Sequence, residues 1–84
     1  MSRFIKIPSA LFNFAKLVKK NKPFYMRVIR IVDDLDPDVE YPFALQYRDA
    51  KSDHWVDLNR YDYWDDAHDA LMRFVDRYEF AYLG

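Results

Sequence analysis

Residues 41–48, Tyr-Pro-Phe-Ala-Leu-Gln-Tyr-Arg, alternate with a period of two: Phe43, Leu45 and Tyr47 fall on one side, Ala44, Gln46 and Arg48 on the other. An extended segment with one apolar side needs neighbouring strands for its backbone groups and another layer over that side. This stretch therefore commits the chain to a sheet with a covered face. Pro42 fits, because the first positions of a strand tolerate a missing N–H.

Two flanking segments are the expected neighbours. Residues 24–32, Phe-Tyr-Met-Arg-Val-Ile-Arg-Ile-Val, are rich in β-branched side chains, but their alternation slips. Met26 and Val28 share one parity, Ile29 and Ile31 the other. Either both faces are covered, or a bulge near Val28 and Ile29 restores a single apolar face; the bulge is the preferred reading. Residues 54–59 give a third strand, with Val56 and Leu58 inward and Trp55 and Asp57 outward. The connections are the acidic stretch 33–40, which turns at Asp36-Pro37, and a polar hairpin loop at 49–53. Residues 3–7 alternate well enough for a short strand or serve as a lead-in.

A helix is expected on each side of the strands. In the first, Ser9 is a suitable N-cap, and Leu11, Phe14, Ala15 and Val18 recur at i, i+3, i+4 and i+7. Lys19, Lys20 and Lys22 favour its C-terminal end and Pro23 stops it. In the second, Asp62 is the expected cap, with Asp65 three residues on. Trp64, Ala67, Leu71, Phe74, Val75 and Tyr78 form its apolar stripe. The expected fold is α+β: helix, three-stranded antiparallel meander in strand order 1-2-3, helix (αβββα), with the helices packed on one face of the sheet. With no repeats, no low-complexity linker and one glycine, residues 1–84 read as a single domain. The apolar tail 80–84 either packs back on the sheet or docks on a partner.

Eighty-four residues lie near the lower size at which an apolar core suffices, and there is no cysteine to help. Sixteen aromatic residues exceed what so small a core holds, so some rings are expected at the surface, where they commonly anchor interfaces. No segment approaches the ~20 apolar residues that span a bilayer. Arg3 and Lys6 are followed by a run broken too soon for a signal peptide. The expectation is a soluble, unprocessed, cytoplasmic chain that does not use a membrane.

Charge is divided. The first 32 residues carry eight bases and no acid, and the remainder carries fourteen acids and five bases, giving +8 against −9 and a net charge of −1. The division marks either a charged partner or two halves that attract each other.

The residues leave little room for catalysis. The hydroxyl nucleophiles other than tyrosine are Ser2, Ser9 and Ser52, no glycine-rich phosphate loop exists, and no carboxylate has an evident apolar pocket. The chain is expected not to be an enzyme and to need no cofactor. Asp34, Asp36, Asp38 and Glu40 alternate like calcium ligands, but the glycine and the bidentate glutamate of a calcium loop are missing and Pro37 intrudes. His54 and His68 each have acids nearby without metal-ligand spacing, so no metal site is expected.

The order helix, three strands, helix is also that of the double-stranded RNA-binding domain, which grips phosphates with lysines at the start of its last helix. Here that position holds Asp65, Asp66 and Asp69, which repel phosphate. A different nucleic-acid mode, through Lys16, Lys19, Lys20, Lys22, Arg27 and Arg30, is the first alternative function. A small structural or assembly subunit, self-associating through strand edges or the tail, is the second.

The leading expectation is a protein-binding module. Aromatic residues Trp55, Tyr61, Tyr63 and Trp64 stand close in sequence to Asp57, Asp62, Asp65, Asp66 and Asp69, and Asp34, Asp36, Asp38 and Glu40 add an acidic loop. Rings supply desolvated contact area and acids steer toward a basic surface. A cysteine-free single domain of this length, with helix, meander, helix and acids at residues 33–40 and 65–69, resembles the small phage-encoded inhibitors, anti-CRISPR proteins among them. The resemblance implies action without catalysis, in a host cytoplasm, by covering a basic nucleic-acid-binding surface of a host protein or protein–nucleic-acid complex.

Overall fold

The alternating segment lies inside a four-stranded antiparallel sheet in a computed structural model that describes residues 4–6, 8–32, 35 and 38–84. The strands are β1 (Phe4–Lys6), β2 (Phe24–Arg30), β3 (Phe43–Asp49) and β4 (Val56–Tyr61), in the spatial order β1-β4-β3-β2. β2, β3 and β4 are the expected meander. The lead-in adds β1 beside β4, with Phe4 opposite Tyr61 and Lys6 opposite Asn59. Helix α1 (Pro8–Lys19) follows β1, helix α2 (Trp64–Arg77) follows β4, and a 3-10 turn (Glu79–Ala81) leads to the end.

The bulge sits elsewhere than expected. β2 pairs with β3 without interruption from Phe24–Asp49 to Arg30–Phe43, so Val28 and Ile29 are regular. The register shifts between β3 and β4 instead: Gln46 faces Asp57, while Leu45 faces Asn59, leaving Leu58 as the extra residue. Because a bulge changes which residues share a face, Leu58, Asn59 and Tyr61 are all buried although their parities differ. In β2 the alternation slips because Ile29 stays on the sheet's second face, half-buried.

Both helices cover the first face. Phe14 of α1 is the centre of the core: it meets Phe24, Tyr47, Phe74 and Tyr78 edge-on at centroid distances of 5.1–5.5 Å. Four elements thus share one ring. Phe14, Phe24, Leu45 and Leu58 are the largest fully buried side chains.

Helix α1 starts at Pro8, whose missing N–H costs nothing at a first helical position, and Ser9 is an exposed residue inside the helix rather than its cap. That start sets the buried stripe as Ala10, Phe14, Leu17 and Val18, and Ala15 is exposed. At the far end Asn21 takes a left-handed conformation (φ 55°). Its N–H donates to the Val18 carbonyl (3.0 Å) and that of Lys22 to the Leu17 carbonyl (3.2 Å). This is the Schellman closure, with asparagine standing where glycine is usual.

The tail packs back. Tyr82 lies parallel to Phe24, the Leu83 N–H donates to the Phe24 carbonyl (2.9 Å), and the Met26 N–H donates to the Gly84 carbonyl (3.0 Å). Ala81 is buried and the Tyr82 ring stands 5.7 Å from that of Phe24. The start of β2, an edge strand of the sheet, is therefore covered by the chain's own last residues.

Candidate functional site

Helix α2 begins at Trp64 because Tyr63, extended at φ −124° and ψ 142°, is its N-cap. No side chain caps the helix, so Asp62 does not have the role expected for it. Asp65 and Asp66 occupy the first turn, where the partial positive charge of the helix end favours carboxylates.

Starting one residue later than an Asp62 cap implies, the helix turns Trp64 outward. Tyr63 is 65% exposed, Trp64 49% and Met72 46%. The Trp64 ring stacks on His68, with centroids 4.6 Å apart and planes 18° from parallel. Trp64, His68 and Met72 follow one another at i, i+4 and i+8, a single row along the outer surface of α2. Asp65 and Asp69 are exposed beside the row, and Asp62 and Asp66 are half-buried. The result is an apolar ridge bordered by carboxylates.

Other expected site residues lie elsewhere. Tyr61 is a core residue, 7% exposed, and its hydroxyl accepts a hydrogen bond from Asn59 Nδ2 (3.0 Å). Pairing with Phe43 turns Tyr61 to the covered face, so it cannot be a surface anchor. Burial, opposed in part by the Asn59 hydrogen bond, raises its pKa above the ordinary 10.0. Trp55 is on the sheet face away from the helices, against Arg27 (4.0 Å) and Arg48 (5.3 Å). The structure does not join it to the α2 ridge. Asp38 and Glu40 are exposed, while Asp34 and Asp36 lie outside the described residues.

The six cations of the nucleic-acid alternative do not form one surface. Lys16, Lys19, Lys20 and Lys22 follow α1 on the covered side of the sheet, whereas Arg27 is on the opposite face, its Nε donating to Gln46 Oε1 (2.8 Å). Arg30 is exposed at the end of β2. Arg60 pairs with Asp57 (3.6 Å), both from the second half.

His54 is exposed and its N–H donates to Ser52 Oγ (3.1 Å), whereas His68 belongs to the ridge. Among the described residues no group of three or more histidines and acids is placed to hold a metal ion, and no helix is long and apolar enough to cross a membrane.

His68 and Met72, at i+4 and i+8 from Trp64, join the ridge on a spacing that is legible in the sequence. The grouping of Tyr25 and Arg48 with Trp55 is not legible there. Only the β2–β3 register, which sets Tyr25 opposite Arg48, reveals that grouping. No family model, curated protein or solved structure matches the chain.

Proposed function

We propose that the chain is a non-enzymatic protein-binding module, a small inhibitor of the phage-encoded type that its sequence resembles, acting on a basic nucleic-acid-binding surface. The observation that carries the reading is the ridge at the start of α2: Tyr63 and Trp64 exposed side by side, continued by His68 and Met72, and bordered by Asp62, Asp65, Asp66 and Asp69. Exposed rings at a helix start have no role in this fold's own core. They offer contact area at small entropic cost, because the Trp64–His68 stack already orders both side chains. The carboxylates select a cationic partner surface and speed encounter with it.

Affinity capture from nuclease-treated bacterial lysate tests the reading, with three baits: the natural chain, Tyr63→Ala with Trp64→Ala, and Asp65→Lys with Asp66→Lys and Asp69→Lys. A basic protein held by the first bait and lost from both others is expected. Equal capture by all three, or none by the natural chain, overturns the proposal.

A further inference from the structure

The sheet face away from the helices carries the opposite chemistry from α2. Register places Tyr25 and Arg27 of β2 beside Arg48 and Gln46 of β3, and Asp57 of β4 beside Gln46. Trp55 enters β4 on this face. The Arg27 guanidinium stands 4.0 Å from the centroid of the Trp55 ring, and that of Arg48 stands 4.6 Å from Tyr25 and 5.3 Å from Trp55.

A hydrogen-bonded row holds these groups in place. Arg27 Nε donates to Gln46 Oε1 (2.8 Å), Gln46 Nε2 donates to Asp57 Oδ1 (2.6 Å), and Asp57 Oδ2 pairs with Arg60 (3.6 Å). Arg48 also donates to the Ser52 carbonyl. Among the described residues of β2, β3 and β4 on this face, Arg27, Arg48 and Arg60 meet one carboxylate, Asp57, an excess of positive charge in a chain of net charge −1. A guanidinium has five N–H groups and these bonds use few of them.

We propose that this face binds single-stranded nucleic acid, with bases stacked on Trp55 and Tyr25 and phosphates held by Arg27 and Arg48. Three observations select that occupant. The excess positive charge calls for an anion. The flat rings, each with a guanidinium over its face, call for an anion that carries its own flat groups to stack in the same cluster, which an acidic peptide lacks. Tyr25, Arg27, Arg48 and Trp55 are each half-buried and so partly reach solvent, and partly exposed rings favour unpaired bases, because a duplex keeps its bases stacked inside and offers the rings nothing. The face is separate from the α2 ridge, so the inference stands or falls independently of the inhibitor reading.

Fluorescence anisotropy of a labelled pyrimidine-rich single strand of about twelve nucleotides tests it, with the matching duplex and polyglutamate as competitors. Saturable binding with a Kd of about 10⁻⁴ to 10⁻⁶ M is expected, and two phosphate contacts predict a loss of about seven-fold between roughly 50 and 200 mM salt. Trp55→Leu should weaken binding about ten-fold, with Trp55→Phe restoring part of the loss. Arg27→Gln with Arg48→Gln should flatten the salt dependence, and circular dichroism reports whether each variant is folded. Should Trp55→Leu fail to fold, the arginine pair and Trp55→Phe decide. No binding at low salt, competition by duplex or polyglutamate as strong as by the single strand, or folded variants that bind like the natural chain each overturn the inference.

Discussion

The ring of Phe14 stands edge-on to that of Phe24, with centroids 5.1 Å apart and planes at 89°. One residue from the middle of α1 thereby fixes the start of β2, and through Phe74 and Tyr78 it also fixes the C-terminal half of α2. Phe14→Ala leaves a cavity where four elements meet. The expected cost is about 3–5 kcal/mol, a large share of a small domain's stability. Urea unfolding followed by circular dichroism checks this, and Phe14→Leu should recover more than half of the loss.

Asn21 closes α1 in a left-handed conformation at φ 55°. Glycine reaches that region freely and a β-branched residue does not, so Asn21→Gly should leave the urea midpoint nearly unchanged. Asn21→Val should lower stability by about 1–2 kcal/mol. Equal effects would mean that the helix end relaxes to another closure.

Gln46 is 7% exposed and joins Arg27 to Asp57 across three strands. Replacing it with leucine deprives a guanidinium and a carboxylate of their shared partner at once, an expected loss of about 1–3 kcal/mol. Asp57→Asn keeps a hydrogen-bond acceptor for Gln46 and removes only the half-exposed Arg60 pair, so about 0–1 kcal/mol is expected. Denaturation midpoints of the two variants give the order directly.

Tyr47 and Tyr61 both have pKa values raised above the ordinary 10.0. For each, burial is the main cause, and the charge of Asp49 adds to it for Tyr47. A phenol that keeps its proton longer in the folded state than in the unfolded one contributes stability that is complete below about pH 10. That contribution is lost as pH rises from there through the folded-state values. Urea midpoints should be flat from about pH 8 to 10 and fall above it, with tyrosinate absorbance showing two residues that ionise late. Tyr47→Phe should reduce the alkaline loss.

Much of the fold follows from local pattern. The alternation at residues 41–48, the apolar periodicity of both helices and the turn residues between them identify the αβββα order, because side chains repeat every two residues on a strand and about every 3.6 on a helix. Where those periods are broken by backbone geometry, local pattern misleads. The bulge was expected at Val28 and Ile29, where alternation visibly slips. It lies at Leu58, where the slip is masked because Asn59, a polar residue, turns inward with Tyr61. The helix start departs from its sequence signal for a related reason. Asp62 has the chemistry of a cap, yet Tyr63 holds the position and Trp64 consequently faces out.

By itself, then, the sequence determined the element types and their order, the need for one covered sheet face, the divided charge and the surplus of aromatic rings. Tertiary structure alone decided which rings are surplus. Burial depends on strand register and on the rotation of each helix about its axis, and a shift of one residue in either exchanges inside for outside. That is why Tyr61 lies in the core, Tyr63 and Trp64 form a ridge edged with acids, and Trp55 lies among arginines on the opposite face of the sheet.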